Sequence, residues 1–499
     1  MICHWAFISF SLLACDAYKF LINSPLFGYS HTNFMGAIAD TLTEAGHNVT
    51  VLMPVMDIEE QDKTGLKLTK NVIKIPADPR VYELGRFKNE TLSGVWTSGS
   101  NFFGLLKAQL ERKSLFQATE NMTKSFVYLC EGVLNDEKLM KMLEKEKFDV
   151  GISEAFDICG LGIFEILKIP ATIVAFSGVH IDCVSRSIGE PIMPTGWSTE
   201  GDRMNFIGRF KNFVNVLLEN TFFTRTYDEE IKVFRTKFGP QFKGYSELIS
   251  RASFVFTNSN PYLDYQRPVL HKTVSIGGIT VVVDPKKNEL SKEWHDILNK
   301  RNTTVLVSFG SVAKSVYMPN QYKKTLLEVF ETMPETTFIW KYEEEGSTIA
   351  GHLKNVHLST WVPQNALLAD SRLTVFITHG GLGSTTELSH MGKPAILIPI
   401  FGDQTRNANM FSKHGCGILL TKHELEHPQK LRDSLRKIFN EARFGTLANL
   451  DPYGRHLSLL QYYLIDVLLA CVFAFFLVVF AIVKLLRKCF SLREKTKTE

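Results

Sequence analysis

Residues Trp361 to Gln404 read WVPQNALLADSRLTVFITHGGLGSTTELSHMGKPAILIPIFGDQ. Leu373 to Thr378 is an apolar run of strand length, and His379-Gly380-Gly381 follow it as a turn. Leu382 to Met391 reads as a helix stopped by Gly392 and Pro394. A second buried strand, Ala395 to Ile400, ends at Gly402-Asp403-Gln404. Two strands around one helix, with glycines at the first turn, predict a βαβ unit of the nucleotide-binding kind. Its helix N-terminus offers free amides and a positive dipole end to a phosphate group.

The residue types in this stretch sort by chemistry. Trp361 presents a flat face for a base, and Gln364 and Glu387 suit ribose hydroxyls. Ser384 and the amides after His379, that of Gly381 among them, suit a diphosphate. Asp403 and Gln404 suit the hydroxyls of a sugar. Along all 44 residues the segment resembles the signature of the UDP-glycosyltransferases, in particular the membrane-bound animal UDP-glucuronosyltransferase type. The resemblance implies a UDP-sugar donor as co-substrate, a small lipophilic acceptor and an inverting transfer.

Working outward, strands and helices alternate through both halves. Lys19–Ser24, Val49–Pro54, Phe148–Ser153, Ala171–Phe176 and Phe254–Asn258 are apolar strands of the first half, with a helix at Asn33–Glu44. Thr303–Phe309, Phe338–Tyr342, Val356–Trp361, Leu373–Thr378 and Ala395–Ile400 follow in the second. Such alternation predicts parallel α/β sheets covered by helices on both faces. Two of them facing each other across a cleft resemble the GT-B fold, two Rossmann-like domains. The first domain is placed at 18–259 for the acceptor and the second at 285–450 for the UDP-sugar, with a Pro- and Gly-containing crossing at 260–284. Arg203 to Arg225 carries Phe206, Phe210, Phe213 and Leu217 at helical spacing. That stripe reads either as a core-facing helix or as the part that lies near the bilayer in membrane-bound relatives.

The ends predict a membrane address. Residues 1–17 read as a signal peptide with an apolar stretch from Trp5 to Ala14. Val467 to Val483 is uncharged, and a span at 462–483, preceded by a pre-anchor segment at 451–461, covers about 33 Å as a helix. Lys484, Arg487 and Lys488 then place the tail, 484–499, on the cytosolic side. Lys495 and Lys497 resemble a dilysine retrieval signal, so the expectation is a single-pass type I protein of the endoplasmic reticulum membrane with lumenal domains. Asn48, Asn89, Asn121 and Asn302 head glycosylation sequons. Cys130, Cys159, Cys183 and Cys416 face the lumen, and four cysteines allow three pairings, so no bridge is assigned. A net charge of +4 without a basic, aromatic-rich run argues against nucleic acid as a partner. The bilayer is an expected partner, and association with a second copy stays open.

Transfer from a nucleotide sugar needs a base for the acceptor, charge stabilisation for the leaving diphosphate, and an in-line sugar. Ser308-Phe309-Gly310-Ser311, at a strand end, is a turn whose amides and hydroxyls (Ser308, Gly310 and Ser311) can face phosphate oxygens opposite His379. With amides and a helix end on the diphosphate, no metal and no cofactor are expected. After the first strand, Gly28-Tyr29-Ser30-His31 puts His31 where ligands bind in open α/β sheets, and the position matches the family's acceptor-activating histidine. The family's acid partner is an aspartate after a strand like FDV, and here Glu154 stands there; Asp157 is a substitute and Asp149 a structural residue. Gly383 replaces an asparagine that relatives often use on the phosphate. Between Leu431 and Pro452 only 20 residues intervene, some 30–40 fewer than in the family. A sterol or lipid glucosyltransferase and a catalytically impaired relative remain as alternatives.

Overall fold

The computed structural model describes residues 17–85, 94–96, 115–191, 196, 198, 200–441 and 458–495. Residues 1–16 of the expected signal peptide, the sequon at Asn89, residues 442–451 of the shortened stretch before Pro452, and Lys497 lie outside the described residues.

Seven strands form the first sheet: β1 (Lys19–Asn23), β2 (Asn48–Pro54), β3 (Asn71–Ile75), β4 (Val150–Glu154), β5 (Ala171–Phe176), β6 (Phe254–Thr257) and β7 (Thr273–Ser275). Their order is β3-β2-β1-β4-β5-β6-β7, and every pairing is parallel. Six more make the second: β8 (Thr303–Ser308), β9 (Thr336–Lys341), β10 (Val356–Ser359), β11 (Leu373–Thr378), β12 (Ala395–Leu397) and β13 (Gly417–Leu419). Their order, β10-β9-β8-β11-β12-β13, repeats the first pattern. The central strands are buried on both faces, which is why they read as continuous apolar runs rather than alternating ones. In both sheets the order reverses beside the opening strand, between β1 and β4 and between β8 and β11. These are the two crevices into which the strand ends deliver side chains.

Five of the helices that bear on the site precede the His379 turn. In chain order they are α1 (Tyr29–Glu44), α2 (Leu115–Asn135), α3 (Cys159–Ile166), α4 (Phe206–Phe238) and, in the second domain, α5 (Gln364–Ala369). Cys130 of α2 and Cys159 of α3 form a disulfide, which the cysteine count alone left unassigned. The 260–284 crossing also needs correction, because it contains β7. The β-branched Thr273 and Val274 complete the free edge of β6 instead of bridging between domains.

The expected apolar stripe of α4 faces outward at its ends. Phe206 and Leu217 are exposed, while Gly208, Arg209, Asn215, Val216, Glu219 and Phe223 take the buried face. Phe210 and Phe213, between those ends, are partly buried. Nearby, Arg209 pairs with Asp466 at the start of α8 (Ile465–Lys495), a numbering that follows α6 (Leu382–Met391) and α7 (Gln404–Ser412) of the second domain. The candidate span within α8 is Ile465–Leu485. It begins three residues later than the sequence run, because Leu464, at φ 57, separates a one-turn helix at Leu459–Tyr462 from it. The helix also continues to Lys495, through the basic residues taken for a separate tail.

Contacts cross between the domains at several points. Trp96 is buried in the second core, its indole donating to the Lys314 carbonyl at 3.2 Å and lying against Phe309. Arg406 of α7 pairs with Asp264 at 2.6 Å, and Lys413 pairs with Asp202 at 2.5 Å. The Cys130–Cys159 link closes a loop of 29 residues, for which chain entropy gives about 3–4 kcal/mol. Replacing both cysteines by alanine is expected to lower the midpoint of thermal unfolding by several degrees, read by circular dichroism. An unchanged midpoint would show that the bridge does not support the fold.

Candidate active site

Glu154 is the last residue of β4, and α1 begins just after the loop that leaves β1, so the first crevice brings His31 and Glu154 together. His31 Nδ1 lies 2.6 Å from Glu154 Oε1. Ser177, just past β5, adds its hydroxyl at 2.7 Å from the same nitrogen and its amide at 3.4 Å from the same carboxylate oxygen. The carboxylate is almost fully buried, and the imidazole is partly open to the cleft. This network favours the tautomer whose Nδ1–H donates to Glu154, leaving the Nε2 lone pair free. Phe27 and Phe156 flank the imidazole at ring distances of 4.3 and 5.0 Å, and Phe126 of α2 closes on both phenylalanines.

Asp157 does not substitute for Glu154. It turns into the interior, accepting from the Cys159 amide at 2.9 Å, and burial pushes its carboxyl up to about 7. Glu230 of α4, which accepts from the Ile158 amide at 2.8 Å, is also raised by burial and then by the charge of Asp157. Asp149 accepts from the Lys19 amide at 2.7 Å, a structural tie at the far end of the sheet.

In the second crevice, Ser308 ends β8, and Gly310 (φ +84) turns the chain against His379, which follows β11. A Cβ on Gly310 would lie 2.7 Å from the His379 ring, and one on Gly381 would lie 2.6 Å from it, so both positions require glycine. Burial, and then the Lys341 ammonium, hold His379 down to about 4, so it is neutral near pH 7. Gly381 caps α6, whose first turn carries Ser384. Gln364 of α5 donates to Ser384 Oγ at 3.1 Å and also to Glu387. Trp361 is half exposed and Ser311 partly buried at the rim. A side chain at Gly383 would enter open space.

Asp403 accepts from Asn407 at 2.7 Å, and burial raises its carboxyl while the imidazole of His31, across the cleft, favours its charged form. Gln404 uses its carbonyl on the amides of Ile400 and Phe401 at 2.8 and 3.0 Å. It is buried and shapes the loop. Arg406 is buried and committed to Asp264.

Two residues escaped the sequence reading. Ser177 gave no signal beyond following a strand. Lys341 ends β9 with its ammonium 2.7 Å from the Gly310 carbonyl and 4.9 Å from the centroid of the Trp361 ring. A cation at the carboxyl end of a strand beside a glycine turn was the available signal.

Comparison with known proteins gives the family and the fold. The family profile described as UDP-glucuronosyl and UDP-glucosyl transferase matches residues 22–447. The Caenorhabditis elegans protein ugt-55, named for the UDP-glucuronosyltransferases, is 29% identical over 429 residues, covering 85% of this chain and 80% of its own. Rat UDP-glucuronosyltransferase 1A1 is 27% identical over 439 residues, 86% of this chain and 77% of its own. Among solved structures, the glycosyltransferase of kitacinnamycin aligns with a TM-score of 0.53 at 16% identity, over 85% of this chain and 91% of that one. The spinosyn rhamnosyltransferase SpnG aligns at 0.51 and 13% identity, over 85% and 92%. The fold is therefore GT-B.

Burial pushes the Glu387 carboxyl up to about 7, against the hydrogen bond from Gln364. Its charged form, the stronger acceptor for a hydroxyl, therefore grows in as pH rises through about 7. UDP affinity is expected to strengthen over that interval and to lose this part of its pH dependence in Glu387→Gln. Identical pH profiles for the two proteins would remove Glu387 from nucleotide binding.

Proposed function

The chain belongs to the UDP-glucuronosyl and UDP-glucosyl transferase family, and within it we propose an inverting transferase with His31 as general base. The reading holds that it moves a sugar from UDP-glucuronate or UDP-glucose to small lipophilic acceptors. The observation that carries it is the buried His31–Glu154 contact at 2.6 Å, in one crevice, facing Asp403 of the other. The names of the relatives favour glucuronate.

The acceptor hydroxyl gives its proton to His31 Nε2 as its oxygen attacks the anomeric carbon. Glu154, holding Nδ1–H, balances the imidazolium that forms. The bond from that carbon to the diphosphate breaks on the opposite face, so an α-linked donor yields a β-glycoside. Negative charge gathers on the departing UDP, where the amides of the Gly310 and His379 turns, the start of α6 and Lys341 receive it. Asp403 and Gln404 hold sugar hydroxyls, and Trp361 takes the base. Neutral His379 serves as a hydrogen-bonding group rather than a second cation. Phe27, Phe126 and Phe156 supply an apolar wall that suits a lipophilic acceptor and keeps water from the sugar.

The proposed setting is the endoplasmic reticulum membrane, with both domains in the lumen and α8 as the anchor. The Cys130–Cys159 disulfide supports an oxidising compartment, and the span at Ile465–Leu485 supports the anchor. Protease added to sealed microsomes should spare both domains and trim only the far end of α8. Digestion of the domains in intact vesicles would reverse the orientation.

His31→Ala is expected to lower turnover about 10²–10⁴-fold, the usual range for a lost general base, with UDP affinity nearly unchanged. Glu154→Gln should follow it in turnover, Glu154→Asp should retain activity, and Asp157→Asn should affect stability more than rate. Full turnover by His31→Ala, measured by UDP release with a panel of phenols, would take the histidine out of the mechanism.

A further inference from the structure

Residues 61–69, between β2 and β3, have no part in the transfer described so far, yet they are fastened to α1 at three levels. Thr32 Oγ1 donates to the Lys63 carbonyl at 3.1 Å. Gly36 meets Gly65 backbone to backbone, where a Cβ on Gly36 would lie 2.5 Å from the Gly65 carbonyl oxygen. The Asp40 carboxylate accepts from the amides of Lys67, Leu68 and Thr69 at 2.7, 3.0 and 2.8 Å. Thr32, Gly36 and Asp40 are four residues apart, so they form one stripe of the helix. Gly65 adopts φ +72, and a Cβ there would strike the Thr32 carbonyl at 2.3 Å. The segment is thus a rigid shelf on the helix that starts with Tyr29 and His31.

That shelf faces the donor domain. Lys63 Nζ lies 5.7 Å from the centroid of the Trp361 ring, and the Tyr29 ring meets the same indole edge-on at 5.8 Å. A cavity of about 350 Å³ opens between Tyr29, Asn33, Lys63, Gly65 and Trp361, with all but Trp361 supplied by the first domain. From the other side Lys341, a side chain only 7% exposed, brings a second ammonium to 4.9 Å from the same ring. Lys63 has Glu60 at 3.0 Å, and Lys341 has Glu343 at 3.7 Å and the Gly310 carbonyl at 2.7 Å, so each cation keeps one acid while its ammonium stays over the indole. An aromatic face with ammonium groups converging from two domains fits a ligand that joins a flat base to a polyanion.

We propose that Lys63 is a nucleotide-binding residue contributed by the acceptor domain, closing over the diphosphate charge of the donor opposite Lys341. The shelf on α1 holds it there in advance, so little ordering is needed when the nucleotide arrives. The inference rests on the donor-site reading, in which Trp361 stacks the base.

The test uses the full chain in membranes and compares UDP with uridine as competitors of the UDP-sugar. Lys63→Ala is expected to weaken UDP about tenfold, the usual loss for a charge-assisted contact, and to leave uridine unchanged. Lys63→Arg should retain most of the affinity, and the acceptor KM should not move. Lys63 is 44% exposed on its side chain, so the substitution does not threaten the core. Trp361→Ala serves as the reference and should weaken both competitors. Unchanged UDP affinity in Lys63→Ala, with Trp361→Ala impaired, overturns this inference alone. Equal losses for UDP and uridine also overturn it, because Lys63 then only packs on the base. Unchanged affinities in Trp361→Ala overturn the donor-site reading beneath it.

Discussion

In a parallel sheet, chain connections must leave the carboxyl ends of the strands and return over one face or the other. Between β1 and β4, and again between β8 and β11, successive connections leave in opposite directions, so the strand ends there stay uncovered. His31 and Glu154 occupy the first opening, and Ser308, Gly310 and His379 the second. Facing the openings toward each other makes a cleft with the His31–Glu154 pair on one wall and the glycine turns at Gly310 and His379 on the other. The Arg406–Asp264 and Lys413–Asp202 pairs, and Trp96 set in the second core, hold the two walls in that relation.

The electrostatics of the cleft come from burial acting on groups with few counter-charges. His379 is kept neutral, Glu387 is pushed up to about 7, and Asp403 is raised by the same burial. Behind Glu154 lie two more buried acids, Asp157 and Glu230, each accepting one backbone amide at the start of α3. Their raised affinity for protons keeps negative charge from accumulating beside the His31–Glu154 pair, since like charges at close range in a poorly solvated interior are costly.

The membrane end follows a related logic. Arg209, on the buried face of α4, meets Asp466 where the apolar helix begins, so the one acid at the mouth of the span has a cation. Phe206, Ile207 and Leu217 remain exposed on the same helix. A stripe with helical spacing shows which side chains share a face, and it does not show which face the core takes. Here Val216, Glu219 and Phe223 took it.

How far the sequence reached can be judged residue by residue. The second half was legible because its strands are buried on both faces and its glycines serve one turn each, so Leu373–Thr378 and Leu382–Met391 appear with the same bounds in sequence and structure. The short edge strands β3, β7 and β13 were not legible, because three to five residues with partial burial carry no period. The strand-end position pointed to His31, and the family resemblance to His31 and Glu154, since a turn after a buried strand delivers its side chains locally. The Cys130–Cys159 pairing, Ser177 at the imidazole, the commitment of Arg406 to Asp264, and Lys63 and Lys341 beside Trp361 were decided by tertiary structure alone. Each joins residues distant in the chain, and their proximity depends on how helices pack and domains face, which local patterns of polarity and turn chemistry do not encode.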